Sequence, residues 1–247
     1  MKKLIALFCV ASAVTAFADT PAASDNVFGV LRVDSTATQT IVSIPWAEAG
    51  TGDPIKVKDA IKTTNLTKGD QLFYYDAAAE TPAYKFWQLG DDGWEGATTV
   101  LNGIKTDEGS DEDTLARGGA LILVRQKPTK EDKTANPFYL YGQYTTSVSS
   151  TTCIKNGYTL LAPPSTSTTD LNNANIKWET PGANDNIVLQ NGTLLHYRNG
   201  TWGKLTKVRD EKTGVISESV NTTVATIAAG EGAWYINNQS NDVTVRW

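Results

Sequence analysis

Nucleophilic, acid–base and metal chemistry each draw on a few side-chain types, and this chain is short of most of them. His196 is the one histidine, and Cys9 and Cys153 are the two cysteines. A Ser-His-Asp arrangement would have to be built on His196. That residue lies in a strand-like run (TLLHYR, residues 193–198), and no Gly-x-Ser-x-Gly elbow accompanies it. His196 is therefore read as a structural or surface histidine. One His and one Cys outside the leader fall short of the three protein ligands of a zinc site, and no Gly-rich phosphate loop follows a strand-like run. These absences assign no catalytic residue, metal or cofactor.

Carboxylates are the remaining catalytic material. A glycosidase needs two of them facing each other at about 5–10 Å, a spacing across strands that sequence does not show. Asp91-Asp92 precedes Gly93 between two strand-like runs, which is first a turn signature. The cluster at residues 107–113 (DEGSDED) has the oxygen density of a calcium site but not the spacing of an EF-hand loop. It reads as a solvated acidic loop.

Tryptophan is the other informative type, with seven in the chain. Indole rings stack on sugar faces, yet they are also good strand formers that bury large areas. Trp178 and Trp234 are expected in a core or interface. Trp94 and Trp202 each follow a polar turn (Asp91-Asp92-Gly93 and Asn199-Gly200-Thr201) and are the expected exposed platforms. Trp87 fits either role. The expected binding set is thus Trp94, Trp202 and Trp87 with Asp91 and Asp92, and the expected ligand is a glycan. Asn65, Asn191, Asn199, Asn221 and Asn238 fit the glycosylation pattern, but a bacterial-looking leader argues against eukaryotic glycans.

That leader occupies residues 1–18. Lys2 and Lys3 precede a short apolar run, and Ala16-Phe17-Ala18 supplies a small-x-small cleavage pattern. The run is shorter than the roughly 20 residues of a membrane span. The expectation is a cleaved signal peptide, a linker over 19–26, and a mature protein that is periplasmic, on the cell surface or extracellular. Loss of Lys2 and Lys3, with no acid lost, takes the formal charge from −5 to −7. Such an acidic chain lacks the basic footprint of a nucleic-acid binder. Cys153, left alone, forms no intramolecular disulfide and is read as a small, half-buried strand residue.

Short runs rich in Thr, Val, Ile, Tyr, Trp and Phe, divided by Gly, Asn, Asp and Pro, predict an all-β chain. The runs recur in order. Residues 40–45 align with 158–163, 69–74 with 192–197, 92–94 with 199–202, and 117–123 with 230–236. Pro45/Pro163, Tyr74/Tyr197, Trp94/Trp202 and Gly119/Gly232 are the landmark pairs. The polar stretch 126–136 is the natural divide, giving β domains at 27–136 and 137–247. The fold expected is two similar sandwich-like or barrel-like units in tandem after a cleaved signal peptide.

This order of an apolar strand ending in Pro, a Gly-Asp-x-apolar-x-Tyr run, a Trp hairpin and a Gly-x-Gly-led strand resembles uncharacterised secreted tandem β-repeat proteins of Gram-negative bacteria. The resemblance implies export and fold class and carries no site residues. Together these readings predict a non-enzymatic envelope or surface protein, structural, adhesive or carbohydrate-binding, whose partner is a glycan or another envelope protein. No transmembrane helix is expected after signal cleavage. The alternatives are a two-carboxylate glycoside hydrolase and a small outer-membrane β-barrel, the latter suggested by the alternation of Val243, Val245 and Trp247.

Overall fold

A computed structural model describes residues 28–34, 38–46, 54–76, 83–101, 103–126, 137–143, 149–210 and 212–247. The expected signal and linker, and most of the polar divide, lie outside them. Among the described residues the chain is all-β, relieved only by a one-turn helix, Val57–Ala60, and a 3₁₀ turn, Thr222–Val224. Among the described residues, no helix is long and apolar enough to cross a membrane.

The first half contains β1 (Phe28–Val33), β2 (Gln39–Ser43), β3 (Ile55–Lys56), β4 (Ile61–Lys62), β5 (Gln71–Asp76), β6 (Ala83–Leu89) and β7 (Trp94–Gly96). It continues with β8 (Val100–Leu101), β9 (Ile104–Lys105), β10 (Asp107–Glu108), β11 (Thr114–Leu115), β12 (Ala120–Val124) and β13 (Phe138–Gln143). A large sheet runs β2-β12-β5-β6, with β7 and β10 on β6; a small sheet runs β1-β13-β4; β3 pairs β11. Because β13 joins β1 and β4, the pairing of the small sheet crosses the expected divide at residues 136 and 137.

The second half contains β14 (Ser150–Cys153), β15 (Gly157–Leu161), β16 (Thr169–Asp170), β17 (Lys177–Glu179), β18 (Asn186–Leu189) and β19 (Leu194–Arg198). β20 (Thr201–Arg209), β21 (Ile216–Asn221), β22 (Thr226–Ile227), β23 (Ala233–Asn237) and β24 (Val243–Arg246) follow. Its large sheet runs β15-β23-β18-β19-β20-β21, its small sheet β14-β24-β17, and β16 pairs β22. Among the described residues the sheets are open and none closes into a barrel.

Strand register corrects the landmark pairs. Val42 lies opposite Leu121 in the first sheet, and Leu161 lies opposite Ala233 in the second. All four belong to the inner cores. Val42 and Leu161 thus both face an inner core, whereas Leu160, aligned with Val42 in the sequence, faces the other side of its strand. The sequence alignment at these strands is one residue out, and in a strand one residue exchanges the two faces. Tyr74 and Tyr197 occupy unlike strands, β5 and β19. The better partner for Asp70 before β5 is Asp185 before β18. Each is buried; Asp70 accepts from Thr67 N (2.9 Å) and Gln126 N (2.7 Å), and Asp185 from Gly182 N (2.7 Å) and Asn238 N (2.9 Å). Trp94 lies opposite Leu89, and Trp202 opposite Tyr197.

Three cores follow. One draws on both sheets of the first half, with Val42, Leu72, Trp87, Leu121, Phe138 and Leu140. A second does the same in the second half, with Leu161, Ile187, Leu195, Trp202, Tyr235 and Val245. The third lies on the outer face of the first large sheet. Ile41, Phe73, Phe86 and Ile122 meet Leu160, Ala162 and Trp234 of the second half there. Main-chain bonds close this seam: Ser43 N donates to Gly230 O (2.9 Å) and Gly232 N to Ile41 O (2.8 Å).

A shared core makes the halves unfold together. Ile122 is 1 % exposed at the seam, and Ile122→Ala is expected to cost about 2–5 kcal/mol. In a protein of this size that lowers Tm by roughly 2–4 °C per kcal/mol. Calorimetry should show one transition shifted as a whole; two transitions with only one moving would show that the seam does not couple the halves.

Candidate functional site

The three tryptophans expected to bind are core residues. Trp87 and Trp202 are 0 % exposed and Trp94 is 6 % exposed, so none presents a ring face to a ligand. The turns before Trp94 and Trp202 are real, but each hairpin lays the indole on the inner face of its sheet. Asn199 and Gly200 have φ of 51° and 83°, the paired positive values of a type I′ hairpin. Trp94 Nε1 donates to Ile61 O (3.1 Å). The main chain of Trp202 is held by Asn172, whose Oδ1 accepts from its N (2.7 Å) and whose Nδ2 donates to its O (2.9 Å). Its ring lies 5.1 Å from those of Trp178 and Tyr197 and 5.7 Å from that of Tyr235.

Asp91 and Asp92 remain exposed on the turn, with Lys68 paired to Asp91. They do not meet the buried indoles in a binding surface. Cys153 is fully buried rather than half-buried, and burial pushes its thiol far above the usual range, which keeps it unreactive. His196 sits on β19 opposite Gly203. Partial burial, with Arg198 and Lys207 nearby, pushes its pKa down, so the ring is neutral at pH 7. The acidic stretch at 107–113 pairs with Lys56, Lys58 and Lys85. No group of three or more metal-ligating side chains forms among the described residues.

Concave surface instead lies where the halves meet. A cleft of about 440 Å³ is lined from the second half by Leu189, Gln190, Thr226, Ala228 and Glu231, with Asp34 from the first. A cleft of about 550 Å³ is lined from the first half by Tyr74, Tyr75, Thr114, Ala116 and Gly119, with Ile154 from the second. Thr114, Ala116 and Gly119 precede Leu121 along the chain as Thr226, Ala228 and Glu231 precede Ala233. The two clefts draw on like stretches of the two strand orders and differ in chemistry.

In the first cleft Gln190 is a clamp: Ile41 N donates to its Oε1 (2.9 Å), and its Nε2 donates to Gln39 O (2.5 Å). Burial pushes the Glu231 carboxyl above the usual carboxylate range. Asp34, ion-paired with Arg32, adds a second carboxylate. In the other cleft the Tyr75 ring is fixed by Tyr84 at 4.8 Å and Trp234 at 5.6 Å. Arg117 spans the seam, with Nε donating to Pro45 O (3.2 Å) and Nη2 to Pro164 O (3.0 Å).

None of these cleft residues stands out in the sequence, because each wall is assembled from segments far apart in the chain. The one local signal is the pair of glycines ahead of β12 and β23. Gly118 and Gly230 have φ of +82° and +73°, values that other residues adopt at a cost. A Cβ on Gly118 would meet Ser149 of the second half, and one on Gly230 would meet Val33 and Leu31 of the first. Comparison with protein-family models, curated proteins and solved structures finds no match.

Truncation should treat the indoles as core. Trp202→Ala and Trp94→Ala are each expected to cost about 3–5 kcal/mol, read as a denaturation midpoint; a loss under about 1 kcal/mol would return the ring to the surface. Glu231 has a pH signature. Its folded carboxyl holds the proton more tightly than the unfolded one, so stability falls as pH rises from the ordinary glutamate range through the raised one. Glu231→Gln lacks this loss. The Tm of the variant relative to the parent should therefore climb as pH rises from the ordinary glutamate range; a difference independent of pH would remove the effect from Glu231.

Proposed function

We propose that this protein is an exported, non-enzymatic component of the cell envelope or surface, built as two tandem copies of one β unit and acting as a binding or adhesive module at the seam between them. The observation that carries this reading is the pair of clefts on either side of a shared core. The parallel strand orders, the parallel aspartates at 70 and 185, and the positive-φ glycines at 118 and 230 support a duplication with units near 28–143 and 149–247. The basic, apolar and small-residue pattern of residues 1–18 supports export. Fusion of the units gives a rigid body with preformed concave sites, which lowers the ordering cost of binding.

A second reading rests on Glu231. A carboxyl of raised pKa sharing a cleft with a second carboxylate, Asp34, is the material of a two-carboxylate glycoside hydrolase. Incubating the purified mature protein with a panel of polysaccharides separates the two. Retention on a polymer without release of reducing ends is the expected outcome. Sustained release that Glu231→Gln abolishes would make the protein a hydrolase.

A further inference from the structure

The two clefts draw on like stretches of the two strand orders, so their differences point to what each can hold. In the first, carboxylates at Asp34 and Glu231 make the lining acidic. The other cleft has Ile154 and Gly119 in its lining, and that acidity is gone. In its place stand phenols and aliphatic hydroxyls, contributed by Tyr75 and Thr114 from one half and by Ser150 and Thr152 from the other. Hydroxyls both donate and accept, which suits a ligand presenting donors and acceptors together without net charge. Two charged side chains line the cleft, and both carry bonds to the protein: Arg117 to two seam carbonyls, and Asp242, whose Oδ1 accepts from Lys155 N (2.8 Å). One is cationic and one anionic, so the lining has no net preference for either sign.

The cleft also offers an apolar surface held in place before any ligand arrives. Tyr75 is ordered by Tyr84 and Trp234, so little rotamer freedom remains to be lost on binding. A volume of about 550 Å³ falls within the range of small-ligand sites. A pyranose chain matches this combination, having an apolar C–H face for an aromatic ring and hydroxyls around its rim.

We propose that the seam cleft lined by Tyr75, Thr114, Arg117, Ser150, Thr152 and Asp242 is a binding site for a neutral oligosaccharide, with the acidic cleft opposite excluded from that role. This rests on the binding reading above and names its site and ligand class. The test is calorimetric titration of the mature protein with cellotetraose, maltotetraose, chitotetraose and tetragalacturonate. At least one neutral tetrasaccharide is expected to bind with one site per chain, and tetragalacturonate at least tenfold more weakly. Thr152→Trp fills the cleft from an exposed position and should weaken binding tenfold or more. Ser150→Trp does the same from a neighbouring position if the first variant lowers Tm. Thr168→Trp, in the acidic cleft, should leave affinity unchanged. Binding lost in Thr168→Trp but kept in Thr152→Trp and Ser150→Trp would overturn this assignment while leaving a binding module in place. Preference for tetragalacturonate would overturn the neutral class. Failure of all four probes together with the polysaccharide panel would overturn the binding reading itself.

Discussion

The structure depends on the desolvation of both faces of the first large sheet. One face closes over its own small sheet, and the other is covered at the seam by Leu160, Ala162 and Trp234 of the second half. This is why β12 reads as an uninterrupted apolar run (ALILV) and why four successive residues of β2, Thr40 to Ser43, are buried whichever way they point; burial without alternation is what a strand covered on both sides shows. The same constraint makes the polar atoms of β2 find partners within the protein. Ser43 Oγ donates to Pro163 O (2.5 Å), and Ser43 N reaches Gly230 O. Gly118 and Gly230 hold their strained turns because any side chain would collide with the opposite half.

The fate of the tryptophans follows from area and geometry. A hairpin brings the indole after its turn back over the sheet it came from, and Trp94 and Trp202 both land opposite a residue of the inner face, Leu89 and Tyr197. Burying a ring of this size contributes more to stability than leaving it in water. Trp202 is surrounded by Trp178, Tyr197 and Tyr235, an aromatic cluster that organises the second core. Asp185 anchors the neighbouring strand ends. Its carboxylate accepts from Gly182 N, Asn238 N, the Tyr235 hydroxyl (2.8 Å) and Gln239 Nε2 (2.7 Å). These four donors satisfy the buried carboxyl oxygens, which would otherwise be costly to take out of water.

Several cleft-lining side chains, Tyr75, Gln190 and Glu231 among them, stand outside both inner cores. Gln190 ties the β2 edge with its amide in one cleft, and Tyr75 lines the other beside Trp234. Glu231 and Asp34 bring two carboxyls to the first cleft, and Ile154 and Gly119 line the second. The duplication proposed above gives such divergence a simple physical basis. Inner faces are held by packing, where a change of one methylene is felt, whereas cleft rims accept new side chains at small cost to stability.

Composition and periodicity by themselves determined the all-β class, the positions of most strands, the recurrence of their order and the shortage of histidine, cysteine and phosphate-loop chemistry. These properties are local: β-branched and aromatic runs, turn residues and counts are legible without knowing what lies opposite. Register was decided by tertiary structure, because the pairing of Val42 with Leu121 and of Leu161 with Ala233 depends on which face meets a core, and a slip of one residue looks equally good in the sequence. The same reason put Trp87, Trp94 and Trp202 inside and joined β13 to β1 and β4. A strand's two faces are alike in one dimension; only the sheet packed against each face tells them apart.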